Sequence, residues 1–164
     1  MTQGNHKKAL QEPIFNILTA AADELAIDCY VIGGFVRDYL LQKSIPKDID
    51  VVAVGSGIAL ARKVASLLPG NPKISIFKNF GTAMIKYKDL ELEFVGARKE
   101  SYHHDSRKPV VEDGTLKEDQ ERRDFTINAL ALSLNKEGFG DLLDPFDGIN
   151  DLEKKIIRTP LEPG

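Results

Sequence analysis

The feature that most constrains this chain is a run of β-branched and apolar residues at positions 49–54, set between residues that break regular structure. Pro46 precedes the run, and Gly55, Ser56 and Gly57 follow it. β-Branched side chains favour strands, and the Pro and Gly residues limit the length of the segment. The run therefore predicts a buried strand.

The segments around this strand predict short helices and strands in alternation. An apolar stripe at helical spacing follows Pro13 and predicts a first helix. The other predicted elements are a strand at 30–32, helices at 35–41 and 58–68, a hairpin of strands 82–87 and 90–95, and a short helix at 149–155. The apolar residues between Asp119 and Leu134 predict one long central helix.

The composition is that of one ordinary globular domain. The chain has 164 residues, of which 42% are apolar and 29% charged, and its formal net charge is −3. This balance excludes a chain whose overall charge attracts nucleic acid, so RNA contacts would come from local basic clusters. The single cysteine, Cys29, predicts a buried thiol in a reducing compartment. With no apolar run of membrane-spanning length, we expect a cytoplasmic protein.

Two acids, Asp48 and Asp50, stand at the start of the predicted strand. Residues two apart in a strand share a face and lie roughly 6.5 Å apart, near enough for both carboxylates to bind one or two hard cations. Asp is disfavoured within strands, which favours a functional interpretation. The same spacing also fits two acids that only cap the exposed start of the strand.

A glycine pair, Gly33 and Gly34, follows one predicted strand and precedes a predicted helix. Without side chains, the backbone N–H groups there can approach a phosphate closely. A tight turn between strand and helix explains the pair equally well. Together with the acids at 48 and 50, the pair matches what an enzyme for magnesium-bound nucleoside triphosphates needs.

A third acid is expected from the predicted hairpin. Glu93 lies between Leu92 and Phe94, and strand alternation places it on the opposite face from them. Glu91 is a rival on the same face. Both glutamates also fit a solvent-facing side of a half-exposed sheet.

Polar residues at the predicted central helix are candidate nucleotide ligands. Arg122, Arg123 and Asp124 precede Asn128, which lies among apolar neighbours where an amide needs partners. Arginine at a helix start opposes the helix dipole, which favours an anion as its partner. A solvated first turn is the alternative, and Arg37 raises the same choice.

Further basic residues flank a charged segment without periodicity, which begins near residue 99. Arg98, Lys99, Arg107 and Lys108 are candidate contacts for RNA or other phosphates. A solvated run of charge explains them equally well.

Four motifs occur in order: GGFVRD at 33–38, DID at 48–50, RRDFTINA at 122–129 and DPFDG at 144–148. In sequence and order they resemble the motifs of the class II tRNA nucleotidyltransferase and bacterial poly(A) polymerase family. The resemblance extends from Tyr30 to Gly164. It implies a polymerase-β-like nucleotidyltransferase fold of the α+β class, with a mixed, mostly antiparallel sheet packed against helices.

The resemblance also implies roles for individual residues. Asp48, Asp50 and Glu93 would be the catalytic acids and would bind two Mg²⁺ ions. The residues that would bind the triphosphate and ribose of ATP or CTP are Gly33, Gly34, Arg37, Arg122, Arg123, Asp124 and Asn128. Transfer of a nucleoside monophosphate to an RNA 3′-hydroxyl would then release pyrophosphate without a protein nucleophile.

The same resemblance divides the chain into a leading helix with an N-terminal segment, residues 1–29, and a nucleotidyltransferase head, residues 30–164. Family members continue into neck, body and tail regions, so we expect a head truncated before them. Such a head would lack most of the RNA contacts and be weak or inactive in isolation. CCA addition to tRNA is the expected reaction, with tRNA or another RNA 3′ end as partner. The alternatives are a poly(A) polymerase head and a non-catalytic nucleotide-binding module.

Overall fold

The structure is a computed structural model that describes residues 4–44, 46–70, 72–101 and 110–161. Its α-helices are α1 (Pro13–Glu24), α2 (Gly34–Leu40), α3 (Gly57–Leu67), α4 (Leu116–Glu121) and α5 (Gly148–Glu153). The strands are β1 (Asp28–Ile32), β2 (Asp48–Val54), β3 (Ile74–Phe77), β4 (Thr82–Tyr87), β5 (Leu90–Gly96), β6 (Arg98–Ser101), β7 (Val110–Asp113), β8 (Ala131–Ser133) and β9 (Leu142–Leu143). Within these ranges no helix has the length and apolar character of a bilayer span.

Seven of the strands form one sheet in the order β3-β4-β5-β2-β1-β8-β9. Of the described pairs, β2 and β5 run parallel and the others antiparallel. The predicted strand at 49–54 is β2, and the predicted hairpin is β4 and β5, joined by a turn in which Lys88 has a φ of 56°. The α+β class with a mixed, mostly antiparallel sheet is confirmed.

Helices α1 and α3 pack on one face of the sheet and form the main core. The largest buried side chains there include Phe15 and Leu18 from α1, Leu60 from α3 and Phe94 from β5. The leading helix therefore shares its core with the sheet. Cys29 is also fully buried, as predicted, and burial raises the pKa of its thiol.

The opposite face of the sheet is only partly covered. A smaller apolar cluster of Ile32, Val52, Ala97 and Ala131 lies there, with Leu116 of α4 packed against it. Strand alternation places the acids of β2 on the face of Val52. The fold thus presents those acids on the open side of the sheet, next to α4.

The prediction of one long central helix from 119 to 134 is wrong. Helix α4 ends at Glu121, the chain makes a single 3-10 turn at Thr126–Asn128, and β8 then pairs with β1. The second half of the segment is short and apolar on all sides, a pattern that a buried strand and a buried helix share. Pairing with the free edge of β1 satisfies its backbone and decides between them. Arg122 accordingly lies at the C-terminal end of α4, where its charge complements the helix dipole.

Candidate active site

The three predicted acids meet where β2 and β5 run side by side. In the parallel register Asp50 lies opposite Glu93, and Asp48 lies opposite Glu91. All four carboxylates, together with Met84, line one open cavity. The sheet therefore brings Asp48, Asp50 and Glu93 into a shared space, as the sequence predicts.

The two glutamates have different surroundings. Glu91 forms an ion pair with Lys86, with 3.4 Å between the carboxylate and the ammonium group. Glu93 also lines an adjoining cavity, together with Asp50 and Arg123, which Glu91 does not reach. Glu93 is thus better placed than Glu91 to act together with Asp50 and Arg123, and Glu91 lies at the margin of the site.

The ionised forms of Asp50 and Glu93 are destabilised by their surroundings. Burial raises the pKa of Asp50, Asp48 raises it further, and Arg123 opposes the change. Burial likewise raises the pKa of Glu93, with a further increase from Asp50 and an opposing effect of Arg123. Like charges and desolvation both disfavour the ionised form, so a bound cation would stabilise it.

The donor set fits a hard cation, because carboxylate oxygens are the ligands that Mg²⁺ prefers in proteins. Among the residues that the structure describes, no group of three His, Cys, Asp or Glu side chains is arranged so that it could hold a metal ion without rearrangement. The carboxylates of the cavity are therefore candidate ligands in a shared space, and the cage expected from the sequence is not preassembled.

The glycine turn between β1 and α2 passes beside these acids. Gly33 has a φ of +82°, and a Cβ at this position would lie 3.8 Å from Asp50 Oδ2 and 3.8 Å from the Asn128 carbonyl oxygen. This left-handed region favours glycine. At Gly34 a Cβ would lie 3.3 Å from Nη2 of Arg37, so the guanidinium group lies over the bare backbone. The pair thus forms a tight turn whose backbone lies beside the carboxylates, with Gly33 buried and Gly34 partly exposed.

Three of the predicted nucleotide ligands form a chain of hydrogen bonds. Arg37 Nη1 donates to Asn128 Oδ1 at 2.7 Å, and Asn128 Nδ2 donates to Asp124 Oδ1 at 3.1 Å. Arg37 Nε also pairs with Asp38 Oδ1 at 3.0 Å. The amide of Asn128 finds the partners that its apolar neighbourhood demands, and it links two segments distant in sequence.

Arg123 is held in place by a residue that the sequence analysis did not single out. Asp119, with 1% of its surface exposed, accepts hydrogen bonds from Nε and Nη2 of Arg123 at 3.1 and 2.8 Å. Its other oxygen accepts the backbone N–H of Arg98 at 2.9 Å. Arg122 lines the same cavity as Arg123, Asp50 and Glu93. The i, i+4 spacing of Asp119 and Arg123 on a helix was the available signal.

The DPFDG motif helps to hold the turn that carries Asn128 in place. Both oxygens of Asp144 accept backbone N–H groups, of Gly148 at 2.6 Å and of Ile149 at 2.9 Å, at the start of α5. From the same helix, Asp151 accepts a hydrogen bond from the Thr126 hydroxyl at 2.6 Å. These bonds anchor the turn that carries Asn128.

The four candidate phosphate contacts are only partly covered by the structure. Arg98 lines the cavity of Asp50 and Glu93. The backbone of Lys99 lies in β6. Arg107 and Lys108 fall outside the described residues.

Comparisons with known proteins agree with this geometry. A family model described as the poly A polymerase head domain matches residues 29–158. The A-adding tRNA nucleotidyltransferase of Aquifex aeolicus is 47% identical over 130 residues, which are 79% of this chain and 15% of that protein.

Two solved structures resemble the fold. One, a tRNA nucleotidyltransferase complexed with a primer tRNA and an incoming ATP analogue, is 41% identical with a TM-score of 0.76, over 88% of this chain and 39% of that one. The other, a CCA-adding enzyme in apo form II, is 35% identical with a TM-score of 0.87, over 98% and 39%. The chain therefore spans less than two fifths of each of these three longer proteins. With its motifs in place around the open face of the sheet, the chain belongs to the poly A polymerase head domain family.

Proposed function

We propose that this chain is the nucleotidyltransferase head of an enzyme that adds nucleotides to the 3′ end of tRNA. The observation that carries the proposal is the pairing of Asp50 with Glu93 across parallel strands, with Arg123 facing both carboxylates. The relatives support the choice of tRNA, since they are named tRNA nucleotidyltransferases. The division at residue 30 and the dependence on further regions for RNA binding are part of the same proposal.

In this proposal Asp48, Asp50 and Glu93 bind two Mg²⁺ ions. When bound, such ions lower the pKa of an attacking hydroxyl and neutralise phosphate charge. The 3′-hydroxyl of the RNA loses its proton to solvent and its oxygen forms a bond to the α-phosphorus of the nucleoside triphosphate, while the bond to the bridging oxygen breaks and releases pyrophosphate. The chain itself supplies no nucleophile.

The remaining site residues bind and orient the nucleoside triphosphate. Arg123, fixed by Asp119, and Arg37 provide positive charge for the triphosphate. The turn of Gly33 and Gly34 lies beside the carboxylates, where the partly exposed backbone of Gly34 and the Arg37 guanidinium over it receive the triphosphate. Asn128 provides amide groups for the ribose hydroxyls, and its own partner Arg37 holds it in position.

The nucleotide that is added has two candidates. CCA addition is the reaction expected from the sequence motifs, and a CCA-adding enzyme is among the similar structures. Addition of A alone is the second candidate, because the Aquifex aeolicus relative at 47% identity is named an A-adding enzyme. Both reactions use the same carboxylates, and both take place on tRNA. We propose that the protein acts in the cytoplasm.

One assay tests the proposal. The full-length protein is incubated with Mg²⁺, each nucleoside triphosphate in turn, and tRNA that lacks its CCA end or ends in CC, and products are resolved at single-nucleotide length. Addition of A only to the acceptor that ends in CC, with no addition of C, identifies an A-adding enzyme, whereas C and then A on the shorter acceptor identify CCA addition. Addition of A to both acceptors identifies a poly(A) polymerase. Asp50→Asn should abolish either activity, and activity within tenfold of wild type in that variant would refute the metal role of Asp50.

A binding measurement separates an enzyme from a non-catalytic module. Mg²⁺ that binds only the folded chain should raise its melting temperature after EDTA treatment. The increase should vanish in Asp50→Asn and persist in the matched control Glu91→Gln, because Glu91 lines the same cavity but pairs with Lys86. Mg²⁺ binding without any nucleotide transfer by the full-length protein would favour the module.

A further inference from the structure

A second groove adjoins the candidate active site. It is bordered by the start of α3 around Gly57, by the turn Asn79–Gly81 between β3 and β4, and by Arg98. Gly96 and Arg98 line this groove and also the cavity of Asp50 and Glu93. The two spaces therefore adjoin at Gly96 and Arg98, close enough for a chain-like ligand with its end at the carboxylates to extend into the groove.

The groove carries an exposed aromatic side chain. Phe80 is 67% exposed, and it stands at the end of a 3-10 turn that Gly81 closes with a φ of +65°. A single exposed apolar side chain is common and by itself means little. Phe80 differs because it lines a groove that leads to the candidate catalytic acids. Phe77, 47% exposed at the start of the same turn, is not among the groove residues.

Positive charge lies directly next to Phe80. A Cβ on Gly81 would be 3.5 Å from Nη2 of Arg98, so the guanidinium group lies over that glycine. The N-terminal end of α3, with Ser56 as its cap, forms another wall and adds the positive end of the helix dipole. One acid, Asp113, also lines the groove, opposite Arg98 in the β6–β7 register.

We propose that the single-stranded 3′ segment of the acceptor RNA lies in this groove, with one base stacked on Phe80 and a phosphate against Arg98. The inference rests on the proposed function, because the terminal hydroxyl must reach Asp50 and Glu93 while the preceding nucleotides leave the cavity. Proteins bind single strands by combining aromatic stacking with cationic groups along the backbone, and the groove offers both. A duplex keeps its bases stacked on each other and cannot use Phe80 in this way.

The chain offers a direct optical test, because it contains no tryptophan. Phe80→Trp places a single indole in the groove, and Phe77→Trp is the matched control on the same turn. Titration with a six-nucleotide single-stranded RNA ending in CC should saturably quench the indole fluorescence of the Phe80→Trp variant and leave the control unchanged. A fully paired RNA of the same composition should leave both unchanged. Equal quenching in the two variants, or none at the position of Phe80, would overturn the proposal.

Measurements of the affinity for single-stranded RNA provide a second test. Phe80→Ala should weaken binding of the labelled single strand about five- to tenfold, and Phe80→Tyr should restore it. Asp113→Asn should strengthen binding, since it removes the one carboxylate that lines the groove among the described residues. ATP binding should be equal in all of these variants, which separates the groove from the nucleotide site. Unchanged RNA affinity in Phe80→Ala contradicts the proposal.

Failure of the proposed function would look different. A full-length wild-type protein that binds the single strand through Phe80 but transfers no nucleotide supports the groove and rejects the enzyme. A protein that transfers nucleotides equally well with Ala at position 80, at RNA concentrations below saturation, supports the enzyme and rejects the groove.

Discussion

Asp119 and Arg123 are joined by two hydrogen bonds to a single carboxylate oxygen, of 3.1 and 2.8 Å, one helical turn apart. The second oxygen binds the N–H of Arg98, so one buried acid fixes both an active-site arginine and the start of β6. The side chain of Arg123 lines the cavity of Asp50 and Glu93 while Asp119 holds its guanidinium group. Asp119 is therefore a positioning residue.

Removal of this acid should reduce both stability and activity. Asp119→Ala leaves a guanidinium and a backbone N–H without their partner, and should lower the free energy of unfolding by about 3 kcal/mol. Asp119→Asn keeps an acceptor for Arg98 and should lose less stability, yet its KM for ATP should rise as Arg123 loses its orientation. Urea titration and steady-state kinetics measure the two effects. Lys117→Ala, an exposed change on the same helix, should alter neither.

The raised pKa values of Asp50 and Glu93 predict how stability depends on pH. An acid whose pKa is higher in the folded state binds more protons there, so folding stability falls as pH rises from the unfolded value through the folded one. The ordinary values are 3.8 for Asp50 and 4.5 for Glu93. In EDTA at pH 7, Asp50→Asn and Glu93→Gln should therefore be more stable than wild type.

That difference should shrink as the pH is lowered through 4.5 and 3.8, where the wild-type acids become protonated in both states. Denaturant titrations across this range measure it. Asp48→Asn tests the neighbouring charge: it should lower the pKa of Asp50 and so recover part of the stability. A wild type that is more stable than Asp50→Asn at pH 7 without metal would contradict the electrostatic interpretation.

Substitution of Gly33 should separate backbone strain from interference with the site. Gly33→Ala places a methyl group 3.8 Å from the Asp50 carboxylate at a φ of +82°, and should cost about 1–3 kcal/mol of stability together with most of the nucleotide affinity. Gly70→Ala is the matched control, because Gly70 has a φ of +81° and no described atom within 4 Å of its added Cβ. It should cost stability alone. Equal nucleotide affinity in the two variants would show that the turn at 33 is only structural.

Asn128 should affect binding more than folding. Asn128→Ala removes the acceptor of Arg37 and the donor to Asp124, and hydrogen bonds to charged groups contribute about 1.5–3 kcal/mol. Because Arg37 is one-third exposed, water can replace part of that loss in the free protein. We expect a KM for ATP about tenfold higher and a melting temperature within a few degrees of wild type. A large drop in melting temperature with unchanged KM would assign Asn128 to the scaffold.

The sequence predicted the parts of this fold that local pattern determines. The β-branched run of β2, the hairpin of β4 and β5 and the alternation that places Glu93 on the opposite face from Leu92 and Phe94 all follow from short-range periodicity. That Glu93 lies opposite Asp50 depends on the parallel pairing of β2 with β5. Gly33 and Asn128 were found because glycine after a strand and an amide among apolar residues both need a local reason.

What the sequence could not provide depends on pairing between distant segments. The apolar residues of 129–134 form strand β8 because β1 offers them a free edge, and no periodicity within the segment reveals that edge. The same applies to the groove at Phe80, where Arg98 and Gly81 meet only through the folded sheet. Asp119 is an intermediate case: its spacing to Arg123 was visible, but its burial was not.

The parallel contact of β2 with β5 determines when during folding the candidate site comes into being. Parallel neighbours cannot be joined by a tight turn, and here the chain that connects β2 to β5 runs through α3, β3 and β4. Long-range closure of this kind is slow compared with local helix and hairpin formation. A nascent chain that has not yet produced Glu93 therefore holds only two of the three acids of the candidate site, and the site is complete only after β5 has joined the sheet.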